Sequence, residues 1–323
     1  MFKVFIDYPL PGNAIEKLKE KCEVVVNQKE KLTKKELKQA IADVDGFICL
    51  LTDKVDKSII NAGKKLKVIS NYAVGFDNID VKAATKKKIA VTNTPGVLTQ
   101  AVAEHTFALL MAISRRIVEA DKLTRKGKYP GWKPDLLLGA QLQGKTLGII
   151  GMGRIGTVVA KIATRGYGMK VVYYSQHRDE AGEKETGAIY TTFEDVLCTS
   201  DFVSLHVPLN EKTRHLIGEK QLAMMKPTAY LINTSRGGVI DENALVNALQ
   251  NKTITGAALD VFEFEPKLSK GLKELDNVVL TPHIASATLE ARSGMAEMAV
   301  ENLLAVLEGR KPLSIVNPEV LTK

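Results

Sequence analysis

Short runs of β-branched and aliphatic residues alternate with stretches of helical apolar spacing from one end of the chain to the other. In the first part, KVFIDY (3–8), EVVVN (23–27), GFICLL (46–51), KVIS (67–70) and IAVTN (89–93) predict strands. In the second part the predicted strands are TLGIIG (146–151), KVVYYS (170–175), FVSLHV (202–207), AYLINT (229–234), GAALDV (256–261) and NVVLTP (277–282). Strands that alternate with helices form parallel sheets layered by those helices, so the fold class is α/β, with two doubly wound units. No internal repeat and no low-complexity segment is detectable.

The join between the units is legible. TPG (94–96) breaks the first, and Thr99 is placed to N-cap one long helix from Gln100 to about Lys126. That segment, AVAEHTFALLMAI, is apolar on more than one face, which predicts packing against its own domain and against a further surface, a second subunit or more of the same core. The stretch ATLEARSGMAEMAVENLLAVLEG (287–309) predicts an amphipathic helix that returns the chain to the first unit. The expected domains are therefore a discontinuous one, residues 1–98 with 286–323, and a continuous one, residues 99–285.

Composition narrows the function. The chain has 323 residues, 45% hydrophobic and 25% charged, ordinary values for a globular protein. No apolar run approaches the ~18 residues of a membrane span, and the start, MFKVFIDYPL, reads as a strand rather than a secretory signal. Cys22, Cys49 and Cys198 are odd in number and far apart, so no disulfide framework and no metal site is expected, and a cytoplasmic location follows. The net charge of +8 comes from scattered lysines, as in KLTKKELK (31–38), which read as solvated faces rather than a nucleic-acid surface.

The sequence GMGRIG (151–156) follows a predicted strand and opens a helix. In that context Gly151 permits the turn, Gly153 admits a pyrophosphate to the backbone, and Gly156 lets helix and strand pack closely. The helix N-terminus then offers free N–H groups to the phosphates. An acidic residue that would clasp the ribose 2′-hydroxyl of NAD belongs about 20 residues further on. Ser175 and Gln176 stand there instead, followed by His177 and Arg178. A hydroxyl and a forked guanidinium suit the 2′-phosphate of NADP, so NADP is expected over NAD.

Three polar residues lie just past predicted strands, on the edge where open α/β sheets bind ligands: Arg236 in NTSRGGVID, Glu265 in DVFEFEP and His283 in TPHIAS. Arginine matches a carboxylate and polarises the adjacent carbonyl. Histidine can protonate a developing alkoxide, and a hydrogen-bonded glutamate would orient it and favour its charged form. Together with a dinucleotide, the three suit hydride transfer to a 2-oxo acid, in the gap between the two lobes.

On GMGRIG, NTSRGGVIDENAL, LDVFEFEP and LTPHIAS the chain resembles the D-isomer-specific 2-hydroxyacid dehydrogenase family over essentially its whole length. The resemblance implies a Rossmann-type nucleotide domain and a flavodoxin-like substrate (lid) domain. It implies that Arg236 binds the substrate while Glu265 and His283 form the acid–base pair, and that Val74 and Gly75 in NYAVGFDNID meet the carboxylate through their backbone. Asp260 would contact the nicotinamide carboxamide. Thr99, Arg154, Ile155, Val207 and Pro208 of the HVP turn, Thr213, Thr234, Ser235, His283 and Ala285 would line the cofactor. Within the family the likeness is greatest to glyoxylate/hydroxypyruvate reductases, carried largely by GWKPDLLLGAQLQGKTLGIIG. In that branch a tryptophan at the position of Trp132 reaches the neighbouring subunit's active site, which implies a homodimer. Reductases of 2-ketogluconate share much of the pattern, and a nucleotide-sensing scaffold is the alternative from another functional class.

Overall fold

The structure, a computed structural model, describes residues 1–321. The chain divides into two compact units, one formed by Met1–Leu98 and the chain from Ala287 on, the other by Thr99–Ser286.

The first unit is built on five parallel strands, β1 (Phe2–Ile6), β2 (Cys22–Val26), β3 (Gly46–Leu50), β4 (Val68–Tyr72) and β5 (Ala90–Thr92), in the order β2-β1-β3-β4-β5. The helices between them are α1 (Ala14–Lys19), α2 (Lys34–Ala40), α3 (Lys57–Ala62) and α4 (Val81–Lys86). Side chains start three of them: Thr33 with Glu36 forms a capping box for α2, and Asp56 and Asp80 accept the first free N–H groups of α3 and α4. The chain re-enters this unit as α12 (Leu289–Leu307), which packs on β3, β4, β5 and α1. Ser70 Oγ donates to the Ala299 carbonyl (2.8 Å) and Tyr72 donates to that of Arg292 (2.7 Å). Packed on the sheet and on α1, α12 buries Met295, Ala296, Val300, Leu303 and Leu304, and even Asn302, so its apolar stripe is wider than that of a surface helix.

The second unit holds β6 (Thr146–Ile150), β7 (Lys170–Tyr174), β8 (Ile189–Tyr190), β9 (Phe202–Leu205), β10 (Tyr230–Asn233), β11 (Gly256–Leu259) and β12 (Val278–Leu280). All pair in parallel in the order β12-β11-β10-β9-β6-β7-β8, so the strand order reverses at β6, between β7 and β9. This is the Rossmann arrangement, whose reversal point opens a crevice at the carboxyl ends of the strands. Helices α5 (Thr99–Ser114), α6 (Ile117–Arg125), α7 (Arg154–Lys161), α8 (Glu180–Thr186), α9 (Phe193–Thr199), α10 (Glu219–Met224) and α11 (Glu242–Gln250) complete it. Core residues such as Leu147, Ile149, Tyr173, Phe202 and Ile232 lie on one face, and Val203, Leu205, Leu231 and Leu245 on the other.

Two expectations need correction. The single helix from Gln100 to about Lys126 is two, α5 and α6, broken at Arg116, which takes φ = 53°. The Ser114 carbonyl, which would carry the helix onward, instead accepts the N–H of Ala140 (2.8 Å). Gly139 permits that approach, since a Cβ there would lie 2.2 Å from the same oxygen. Thr99 is the first residue of α5 rather than a cap before it. The sequence reading also missed β8, whose two residues at the sheet edge are too few to show a period. No helix among the described residues is long and apolar enough to cross a membrane.

Candidate active site

The carboxyl edge of the larger sheet gathers the chemistry. Gly151 follows β6 with φ = 101°, a conformation L side chains rarely adopt. A Cβ on it would sit 2.6 Å from the carbonyl oxygen of His206, which follows β9, so the two loops at the reversal point touch through backbone. Gly156 is equally constrained, with a Cβ falling 2.3 Å from the Gly151 carbonyl oxygen. Gly153 differs: nothing lies within 4 Å of where its Cβ would be, and no side chain caps the helix it opens. Open space in front of uncapped N–H groups at the N-terminus of α7, where Arg154 and Ile155 form the first turn, fits a dinucleotide pyrophosphate.

Beyond the glycines, the other expected cofactor residues hold one another in place. Thr213 donates to the Pro208 carbonyl (2.6 Å) and accepts from Asn210 N–H (2.9 Å), which tightens the turn after Val207. Thr234 is buried, its hydroxyl 3.0 Å from that of Thr106 on α5, and the Ser235 hydroxyl donates to Asn233 Oδ1 (2.7 Å). Neither hydroxyl is therefore idle. Ser175 lies in the turn after β7, with its carbonyl 3.5 Å from the Tyr190 hydroxyl that donates to it. Arg178, expected as a free fork, is already engaged: Nε and Nη2 donate to the two carboxylate oxygens of Glu183, each at 2.8 Å.

The catalytic candidates come from three different loops and converge. His283 Nδ1 stands 2.9 Å from Glu265 Oε2, while Glu265 Oε1 accepts the N–H of Phe262 (2.9 Å). Burial pushes the Glu265 carboxyl up, but the His283 contact and charge, the Phe262 N–H and the charge of Arg236 together outweigh it, so its pKa lies below the usual value. Arg236 thus acts on the same carboxylate that holds the imidazole. Its Nη1 donates to the Ser235 carbonyl (2.8 Å), and its own carbonyl accepts from Asn233 Nδ2 (2.9 Å).

His283 takes φ = 54°, an uncommon conformation for a residue with a Cβ, of the kind that clusters at functional sites. Its N–H donates to the Asp260 carbonyl (2.8 Å) and to that of Thr281 (3.0 Å). The Asp260 carboxylate, fully buried, accepts Thr281 Oγ (2.6 Å) and Ile284 N–H (2.9 Å) on Oδ1 and Ala285 N–H (2.8 Å) on Oδ2. Burial raises its pKa, but His105, Thr281 and the two backbone N–H groups lower it further than burial raises it. Because Thr281 gives its proton to Asp260, its oxygen is the acceptor for His105 Nε2 (3.1 Å). The main role visible for Asp260 is therefore to hold the turn that carries His283.

Residues that the sequence reading passed over complete the support. Glu242, 1% exposed, accepts the N–H of Glu263 and the Ser269 hydroxyl, each at 2.6 Å, and so pins the loop bearing Glu265. The Glu263 side chain accepts from Arg214 (2.9 Å) and lies 2.7 Å from His215 Nε2. Asn233 was legible as an Asx turn in NTSR, because asparagine commonly bonds the backbone two residues on. Nothing in the pattern marked Glu242 or His105, whose partners are distant in sequence.

The remaining expected residues belong to other loops of the chain. In the smaller unit, the loop after β4 carries Val74 and Gly75, whose carbonyls accept Asn93 Nδ2 (2.7 Å) and Asn71 Nδ2 (2.8 Å). Trp132 is 82% exposed and close in sequence to exposed Tyr129 and Leu138, and α6 has no buried residue.

Comparison with known proteins shows the family. A family model described as D-isomer specific 2-hydroxyacid dehydrogenase, NAD binding domain, matches residues 107–285. A glyoxylate reductase of Thermococcus litoralis is 52% identical, with 99% of this chain and 98% of the relative covered. A solved structure from Thermus thermophilus superposes with a TM-score of 0.92 at 44% identity, covering 97% of this chain and 99% of that one. An NADPH-dependent glyoxylate/hydroxypyruvate reductase from Sinorhizobium meliloti, solved with NADP and malonate, superposes with a TM-score of 0.86 at 32% identity, covering 97% and 96%.

Proposed function

The chain belongs to the D-isomer-specific 2-hydroxyacid dehydrogenase family, and on that premise we propose that it reduces glyoxylate, with hydroxypyruvate as a second substrate, and prefers NADPH. The observation that carries the chemistry is the contact of His283 Nδ1 with Glu265 Oε2 beside the charge of Arg236. With Nδ1 committed to the carboxylate, Nε2 is the nitrogen left to serve the substrate oxygen.

Bound reduced nicotinamide supplies the hydride. The Arg236 fork binds the substrate carboxylate and draws electron density from the adjacent carbonyl, where negative charge develops. His283 delivers the Nε2 proton to that oxygen, and Glu265 steadies the ring as it changes charge. Asp260 keeps His283 in place through Thr281, Ile284 and Ala285. At the loop after β4, asparagines occupy the Val74 and Gly75 carbonyls, which favours the N–H groups as partners for the substrate carboxylate.

The NADPH preference is supported by the absence of an acid at positions 175 and 176 and by the presence of Arg178. A homodimer is supported by exposed Trp132, Tyr129, Leu138 and Ile117, an amount of apolar surface that favours a partner. A cytoplasmic setting is supported by three cysteines that are all free thiols.

A steady-state panel of glyoxylate, hydroxypyruvate, 2-ketogluconate and pyruvate with each cofactor tests the reading. The highest kcat/KM should come with glyoxylate and NADPH. A dominant 2-ketogluconate activity would reassign the substrate, and cofactor binding without turnover of any oxo acid would point to a sensing scaffold.

A further inference from the structure

The turn after β7 holds an ion pair that the sequence does not announce. Arg178 and Glu183 meet edge to edge, with two hydrogen bonds of 2.8 Å each. The carboxylate is the fixed member. The Glu183 side chain is 17% exposed against 57% for Arg178, and the Tyr173 hydroxyl also donates to it (2.8 Å). Tyr173 is itself fully buried, and its oxygen accepts the N–H of Asp179 (2.9 Å). Burial first, and then the neighbouring carboxylates, push the Tyr173 phenol up to about 12, so it remains a donor. The bond to Arg178 and the one to Tyr173 hold the Glu183 carboxyl down at about 2, so the pair stays ionised at any working pH.

A guanidinium has five N–H donors. The pair with Glu183 uses Nε–H and one hydrogen of Nη2, leaving three on the outward edge. A 2′-phosphate can therefore be received without breaking the pair. It then meets a cation whose charge is largely cancelled by a carboxylate just behind it. A ribose 2′-hydroxyl carries no charge and meets no such repulsion from a carboxylate whose oxygens already accept from Arg178 and Tyr173.

Taking Arg178 as the group that reads the 2′-phosphate, which is part of the function proposed above, we infer that Glu183 is a specificity-determining residue that holds down the preference for NADPH over NADH. It acts as a built-in competitor for the arginine, and it makes this chain tolerant of both cofactors.

Isothermal titration of the full-length protein with NADPH and with NADH, in the absence of oxo acid, tests the inference. Glu183→Gln keeps the size and can still accept from Tyr173, but it removes the charge. The NADPH affinity relative to NADH should rise roughly three- to tenfold, the scale of one charge about 7 Å from a phosphate in a solvated site. The NADH affinity should stay within about twofold. Arg178→Gln is the second arm and should lower the NADPH preference. If Arg178→Gln leaves the ratio unchanged, the arginine does not read the phosphate, and both readings fall. If Arg178→Gln lowers the ratio but Glu183→Gln leaves it flat or lowers it, only the role of Glu183 is overturned, and its carboxylate serves to aim the fork.

Discussion

Replacing Gly237 with alanine would separate two loops that the chemistry requires together. Gly237 follows Arg236, and its Cβ would lie 1.9 Å from the Phe262 carbonyl carbon, 2.1 Å from the Phe262 oxygen and 2.3 Å from Glu263 N. Real Cβ contacts keep at least 3.0 Å, so the backbones must part by at least 3.0 − 1.9 = 1.1 Å. A flexible side chain cannot absorb that movement, because the three nearest obstructing atoms are all main chain. The displaced peptide joins Phe262 to Glu263, so the Phe262 N–H that holds Glu265 lies at the near end of the pushed residue and shifts with it, and Arg236 moves with Gly237. A displacement of about 1 Å in a positioned group can cost on the order of 10²-fold in rate, close to 3 kcal/mol in the barrier. Overpacking adds about 1–3 kcal/mol of destabilisation, a drop of several degrees in Tm for a protein this size. The assay is kcat/KM for glyoxylate with NADPH, with cofactor Kd and Tm measured on the same preparation. The glycines of GMGRIG are untouched, so Kd for NADPH should change less than about threefold while kcat/KM falls roughly a hundredfold. A folded Gly237→Ala protein with wild-type kcat/KM would show that the spacing of the two loops does not matter to the reaction.

Glu242→Gln keeps the shape of the buried side chain but turns an N–H₂ toward one of two donors, Glu263 N–H or Ser269 Oγ–H. A thermal scan should show a loss of about 1–3 kcal/mol, and kcat should fall more than the affinity for NADPH. An unchanged Tm would mean that this clasp contributes nothing. His206 makes stability depend on pH. Burial pushes its pKa down to about 4 from 6.5, so between those values the unfolded chain binds more protons than the folded one. Stability is therefore full above pH 6.5 and is lost as pH falls toward 4. Urea titrations should show up to about 2 kcal/mol lost between about pH 7 and pH 5, less to the extent that water reaches the partly covered ring. His206→Gln should flatten that slope, and an identical slope in the variant would remove His206 as its cause.

Strand positions were readable because each strand is a compact apolar run bounded by turn residues, and the carboxyl-edge rule then placed Arg236, Glu265 and His283 without further help. The glycine turn was readable because close backbone approach leaves only one residue type at Gly151 and Gly156. What failed to show depends on contacts distant in sequence. The break between α5 and α6 arises where Ala140 takes the Ser114 carbonyl, and residues 114–118 carry no glycine or proline to announce it. Glu242 looks like an ordinary first-turn helix acid, and its burial is visible only once the loop of Glu263 and Ser269 lies over it. Arg178 was singled out by its charge, but its pairing with Glu183 needed the turn of α8 that brings the two together.

The most direct test is turnover of glyoxylate with NADPH by the purified protein and by His283→Ala, with cofactor affinity titrated for both. The wild type should reduce glyoxylate, and the variant should lose roughly 10²–10⁴ in kcat while binding NADPH as before. Equal rates from the two proteins would contradict proton delivery from this imidazole, and with it the reaction assigned to the three converging loops.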